Sequence, residues 1–236
     1  MTATATGGAR VLRRVAIGLV ILVVLLVVAD RVGNYVAERT AGNTIQQSQH
    51  LTSRPDVNIG GFPFLTQLAA GHFDKITVTA SHVPVGSASV PLQVAQVHVE
   101  FDGVTVSRAF SSVHANTANA TALVTYADLS KTLGVDLAYA GNGRIKASKS
   151  VSLAGRTLSA EVTTQPILAN GALSFGSTQI NGAGQLSGEV TALLNKVFDV
   201  SVPLQGIPFQ IQVKSLTVDE RGLHINLTGA NLSYAN

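Results

Sequence analysis

Cysteine is absent from the 236 residues, which excludes a disulfide framework, a thiolate metal site, a cysteine nucleophile and the acylated cysteine of a lipoprotein. Export permits disulfides without requiring them, so the absence names no compartment. Aromatic residues make up 5% of the chain and charged residues 12%, leaving aliphatic side chains to build any core or cleft. Acidic residues are missing altogether before Asp30, where Arg10, Arg13 and Arg14 stand alone. With those three set aside, the remaining 13 Lys and Arg balance 13 Asp and Glu, so the net charge of +3 is local to the N-terminus. A nucleic-acid binder carries its positive charge on the folded domain. Nucleic acid is therefore not an expected partner.

Catalytic signatures are also missing. His50, His72, His82, His98, His114 and His224 have no metal-ligand spacing, and none belongs to an H-E-x-x-H helix. There is no G-x-S-x-G elbow, P-loop or G-x-G-x-x-G opening a helix, and Gly141-Asn142-Gly143 reads as a turn. Carboxylates are scattered, so no acid/base pair is nominated. The sequence thus offers no catalytic residue, no cofactor and no metal, and points away from an enzyme. A site assembled across the fold would escape such a scan.

What is present begins with a targeting segment. Residues 1–14 are polar and basic, Val15–Ala29 carries no charge, and Asp30-Arg31 ends the run. This is the n-region and h-region of an exported chain. Its fifteen apolar residues fall between a signal-peptide core and the roughly 20 needed for a full span. The arginines hold the N-terminus in the cytoplasm and place the rest outside. An uncleaved anchor is favoured over a signal cleaved near Val27-Val28-Ala29. The expected organisation is a cytoplasmic n-region (1–14), an anchor or h-region (15–29), a juxtamembrane helix or tether (30–53) and an extracytoplasmic domain (54–236). Val32, Tyr35, Val36 and Arg39 give residues 30–50 a mixed helical face, which Gly33 and Gly42 weaken. Arg54-Pro55 closes any helix.

Beyond Val57 the period changes to two. Ile76, Val78 and Ala80 alternate with Thr77 and Thr79; Val97, Val99 and Phe101 with His98 and Glu100; Leu158, Ala160 and Val162 with Ser159 and Glu161. Leu216 and Val218, then Leu223, Ile225 and Leu227, repeat the pattern. Such alternation marks half-buried strands, with His98 and His224 on the polar faces. Asp102-Gly103, Gly141-Asn142-Gly143, Asn170-Gly171, Asn181-Gly182 and Arg221-Gly222 serve as turn signals. Short helices are expected over Leu65–Ala70, Ala127–Leu133 and Glu189–Phe198, the first two closed by Gly71 and Gly134. The fold class is α+β and β-rich: a curved, mostly antiparallel sheet with a few short helices behind an N-terminal membrane helix. Pro91-Leu92-Gln93-Val94 and Pro208-Phe209-Gln210-Ile211 open two similar strand–turn–strand stretches, explained equally by hairpin architecture and by duplication.

Two segments stand above background. Gly60-Gly61-Phe62-Pro63-Phe64-Leu65 places two of eight phenylalanines beside a proline. It suits a strand-to-helix corner plugging the core, or an apolar surface at a groove mouth or membrane. Arg144, Lys146, Lys149 and Arg156 succeed one another with no acid between them. Arg144 and Lys146 share a strand face, which suits a solvated edge or anionic headgroups, at about 1 kcal/mol per cation.

The run Pro55-Asp56-Val57-Asn58-Ile59-Gly60-Gly61-Phe62-Pro63-Phe64-Leu65-Thr66-Gln67-Leu68, then Gly71 and Ile76-Thr77-Val78, resembles the signature of the LmeA-like phospholipid-binding proteins, an actinobacterial envelope family. The resemblance extends to the N-terminal apolar segment and to Gly222-Leu223-His224-Ile225 and Gly229-Ala230-Asn231-Leu232. It implies a lipid-enclosing, TULIP-like architecture and binding of phospholipid or glycolipid at the cytoplasmic membrane or in the periplasmic space. The role it implies is non-catalytic, in envelope (lipoglycan) assembly. Phe62, Pro63, Phe64, Leu65, Arg144 and Lys146 are the candidate lipid contacts. Two further readings stand beside it: a scaffold for envelope glycosyltransferases, and a hydrolase or transferase with a noncontiguous site.

Overall fold

The computed structural model describes residues 6–87, 90–107, 112–153, 156–169, 172–175, 179–181, 202–203 and 212–235. The expected helix over Glu189–Phe198 and the repeat copy at Pro208–Ile211 lie outside these residues.

Helix α1 (Thr6–Ser48) runs 43 residues without a break, about 65 Å at 1.5 Å per residue. Val11–Ser48 is long and apolar enough to cross a membrane. Every residue from Val11 to Ala29 is exposed, and burial begins abruptly at Asp30. From there α1 lies along strand β1 (Asp56–Gly60), running in the opposite direction. The two are tied at both ends. Glu38 Oε1 accepts the backbone N–H of Ile59 at 2.8 Å, and an added Cβ on Gly42 would sit 2.8 Å from the Pro55 carbonyl oxygen. Ala37, Ala41 and Ile45 pack against the domain on either side of and between these points. Gly33 and Gly42, expected from propensity to weaken the helix, stand where it packs against the domain. Packing outweighs the roughly 1 kcal/mol that glycine loses to alanine in an isolated helix.

Helix α2 (Phe64–Ala70) and α3 (Tyr126–Leu133) form where expected, each closed by a left-handed glycine, Gly71 (φ 65°) and Gly134 (φ 66°). Thr125 caps α3 by accepting the Asp128 N–H at 3.2 Å.

The long strands are β2 (His72–Ser87), β3 (Val90–Val106), β4 (Ser112–Val124), β12 (Gln212–Asp219) and β13 (Gly222–Ala235). With β1 they make a six-stranded antiparallel sheet in the order β1-β2-β3-β4-β13-β12. Between them in sequence come β5 (Asp136–Gly141), β6 (Arg144–Leu153), β7 (Arg156–Thr164), β8 (Pro166–Ala169), β9 (Ala172–Phe175), β10 (Gln179–Asn181) and β11 (Val202–Pro203). They build a second sheet, β10-β7-β6-β5, and a third, β11-β9-β8.

Asp102-Gly103, expected as a hairpin turn, lies inside β3. Asp102 pairs with Lys75 on one side and Thr117 on the other. Gly103 (φ 61°) and Asn231 (φ 53°) are left-handed residues within strands, and His82 (φ 54°) is another. Across each, burial switches parity: Ile76, Val78 and Ala80 give way to Val83 on β2, Val97, Val99 and Phe101 to Val104 on β3. A left-handed residue in a strand turns the next side chain back onto the face it would otherwise leave, as at a β-bulge. The sheet thereby keeps its aliphatic side chains on one face while it coils.

That face carries two core clusters. Near β1, Val57, Ile59, Phe64, Phe73, Val104, Ala118 and Leu232 pack with α1. Farther along the strands, Leu92, Val94, Val124, Leu129, Ile145, Ala147, Val162 and Leu223 join the first sheet to the second and to α3. The opposite face is polar, with Thr79 Oγ1 to His98 Nδ1 at 2.9 Å, Thr228 Oγ1 to Asn119 Oδ1 at 3.2 Å and Lys75 Nζ to Glu100 Oε1 at 2.8 Å.

The β12–β13 turn is held by Asp219, whose Oδ1 accepts the N–H groups of Arg221 (2.8 Å) and Gly222 (3.3 Å). Its Oδ2 lies 2.9 Å from His224 Nε2, a close contact not aligned as a hydrogen bond. Partial desolvation pushes the Asp219 carboxyl upward, but the Arg221 N–H, His224 and the Gly222 N–H outweigh it and hold its pKa below the ordinary 3.8. Tyr126 donates its hydroxyl to the Asp219 carbonyl at 2.5 Å, joining α3 to this turn, and burial raises its phenol to about 12.

Two outcomes are expected. Gly42→Ala destabilises the detergent-solubilised chain by about 1–3 kcal/mol in a urea melt, because overpacking exceeds the propensity gain; a more stable variant would contradict the close approach to Pro55. Asp219→Asn lowers the melting temperature at pH 7. Because the folded pKa is depressed, that difference is fully present above the unfolded value of 3.8 and disappears as pH falls through the lower folded value.

Candidate functional site

The Gly60–Leu65 segment is a corner between β1 and α2. Gly61 (φ 94°) turns the chain, and Gln67 clamps the turn, donating to the Gly60 carbonyl at 3.2 Å and accepting the Asp74 N–H at 2.9 Å. Pro63 comes next through a cis peptide and leads into α2 without a side-chain cap of its own. The cap comes from α1 instead: Asp30 Oδ1 accepts the Leu65 N–H at 2.8 Å. Asp30, 3% exposed, is paired through its other oxygen with Arg31 Nη2 at 2.6 Å. The Arg31 guanidinium in turn lies 5.0 Å from the centre of the Phe62 ring.

The candidates within this corner separate into two roles. Phe64 is 1% exposed and stacks at a tilt on Phe73, ring centres 6.2 Å apart, so it plugs the core. Phe62 is 62% exposed, and Leu65 and Leu68, one helical turn apart on α2, are about 40% exposed. The core-plug reading of the corner holds for Phe64, while Phe62, Leu65 and Leu68 leave an apolar surface exposed beside it. Pro63 is exposed beside Phe62.

Arg144 and Lys146 lie on the outer face of β6, since Ile145 and Ala147 between and beside them are fully buried. They line an open depression of about 480 Å³ with Tyr139, Asn142, Glu161 and Thr163. The cationic run had no acid within it, but register brings one across: Lys146 Nζ meets Glu161 Oε2 at 3.2 Å. The side chains of Lys149 and Arg156 lie outside the described residues. The corner and the hairpin do not form one site, because Phe64 belongs to the cluster nearest α1 and Ile145 to the other.

Between the two clusters the aliphatic face of the six-stranded sheet is only partly covered. Val78, Val97, Val99 and Ala122 there are of intermediate exposure, Val78 packing on the cluster near α1 and the other three on the far one, and Val99 pairs with Val78 and Ala120 across β2, β3 and β4. This strip, an apolar surface with no charged side chain, is the part of the site that sequence reasoning did not single out. Its signal was the alternation itself, which does not distinguish a packed face from an open one.

Among the described residues there is no group of three His, Asp or Glu arranged to hold a metal ion. His98, His72 and His114 bond to Thr79, Thr105 and Ser233 on the polar face (2.9, 3.3 and 3.0 Å).

No curated protein and no solved structure matches the chain. A family model does, over residues 28–228, from the end of the apolar run through the corner and into the last strand. The chain belongs to the LmeA-like phospholipid-binding family.

Proposed function

We propose that this chain is a membrane-tethered, extracytoplasmic carrier that binds phospholipid or glycolipid reversibly during envelope assembly and performs no covalent step. The observation that carries this reading is the partly covered aliphatic strip on an open sheet, in a member of a phospholipid-binding family. About thirty methylenes on two acyl chains cost on the order of 20 kcal/mol to expose to water, so a carrier must cover them with apolar surface. The strip through Val78, Val97, Val99 and Ala122 is such a surface. It lies midway along strands of 16 and 17 residues, whose aliphatic face runs about 50 Å in all.

The tether is α1. Its break in burial at Asp30 and its uninterrupted course into the domain favour an anchor that stays attached. Arg10, Arg13 and Arg14 then stay on the cytoplasmic side and the sheets lie outside. Phe62, Pro63 and Leu65 supply apolar contact at the end of the strip nearest the membrane, with Phe64 holding the corner. Arg144 and Lys146 offer a second contact, to anionic headgroups, weakened by the pairing of Lys146 with Glu161.

The test is lipid extraction from the full chain purified in mild detergent, then exchange of labelled phospholipid. Lipid at about one molecule per chain is expected. Val99→Gln lowers retention at least about tenfold, equivalent to ~1.4 kcal/mol, while Thr121→Gln on the polar face leaves it unchanged. Equal retention by both variants, each melting as a folded protein, would remove the strip from the mechanism. Recovery of a chain beginning at Asp30 would remove the tether.

A further inference from the structure

The apolar run that leads into the domain is too short for the membrane it would cross. Val15–Ala29 rises about 22 Å, against roughly 30 Å of hydrocarbon. If the arginines at 13 and 14 sit at the cytoplasmic interface, the outer boundary falls some five residues beyond Ala29, near Asn34. That stretch includes Asp30 and Arg31, whose charges hydrocarbon disfavours.

The fold deals with this stretch locally. Asp30 is turned inward, 3% exposed, with its oxygens occupied by the Leu65 N–H and by Arg31. Gly33 is covered by the domain, since a Cβ there would touch Leu65 at 3.4 Å and Phe64 at 3.7 Å. The outward side at the same level is apolar: Phe62, Leu65 and Leu68 from the corner, and Val32 and Val36 from α1, all at least 40% exposed. Tyr35, 58% exposed, accepts a hydrogen bond from Arg39 at 2.7 Å. A tyrosine just past the boundary near Asn34, with an arginine one turn further, matches the belt that anchors helices at the headgroup level.

We propose that the corner Phe62–Leu68 is a membrane seat: its exposed side chains insert into the outer leaflet of the bilayer that α1 spans and make up the missing length of the span. The inference rests on the tether reading. Its consequence is that the domain is not free on a stalk. The end of the sheet nearest α1 is held at the acyl–headgroup boundary.

The chain has no tryptophan, so single-tryptophan variants report depth without background. Phe62→Trp, Leu68→Trp, Val23→Trp and Thr121→Trp are reconstituted as full chains in phosphatidylcholine–phosphatidylglycerol vesicles, with and without bromine on the acyl chains. Phe62→Trp and Leu68→Trp are each expected to show about twofold quenching by bromine near the top of the acyl chain, as for side chains buried ~5–10 Å at the interface. Val23→Trp is quenched by bromine deep in the chain and Thr121→Trp is not quenched. Quenching at Val23 with none at either Phe62 or Leu68 overturns the seat and leaves the tether standing. Absence of quenching at Val23 overturns the tether reading, and the seat with it.

Discussion

Asp30 accepts the backbone N–H of Leu65 where the apolar face of α1 ends and the domain begins. A helix of seven residues such as α2 has no intrahelical partner for its first N–H groups, and Pro63 provides no side chain to meet them. The carboxylate that does so comes from 35 positions earlier in the chain. With the Glu38–Ile59 bond and the approach of Gly42 to Pro55, it sets the position of β1 on α1, and β1 is the edge from which the six-stranded sheet is built. The helix that would hold the membrane and the sheet that would hold the lipid are thus one mechanical unit. A flexible linker would leave the domain's orientation to chance; three contacts spread along the helix from Asp30 to Gly42 do not.

The sheet meets a different constraint. A strand that coils sharply risks rotating its apolar side chains off the face they began on, because its period is two. Left-handed residues at His82, Gly103 and Asn231 reset the alternation where the sheet bends. At Gly103 a side chain would collide with Asn116 on the neighbouring strand, so the position demands glycine for space as well as for its φ. The product is one aliphatic face long enough to be packed at both ends and left partly open between. The two ends are closed by different partners, α1 with α2 at one and the second sheet with α3 at the other. The half-buried strip between them joins the two, Val97, Val99 and Ala122 packing on the far core and Val78 on the one near α1.

Much of this was legible in the chain. The charge step at Asp30, the period of two beyond Val57 and the glycines closing α2 and α3 all reflect local preferences, and the structure obeys them. Asp102-Gly103 reads as a turn for an equally local reason, since Gly103 does adopt a positive φ; only its pairing on both sides shows that the strand continues. Gly33 and Gly42 likewise misled by propensity, because they accommodate another part of the chain.

The sequence by itself determined the apolar helix, the neutrality of the chain beyond it and the aliphatic character of the strands, because each is a matter of composition or of neighbours a few residues away. Only the tertiary structure decided which side chains of a shared motif face inward. Phe62 and Phe64 are two residues apart and alike in chemistry, yet one is exposed and the other buried. Lys146 stands in a run without acids and meets Glu161 all the same. Partners such as these are set by strand register and by the docking of α1, which bring together residues distant in sequence. Local periodicity carries no information about either.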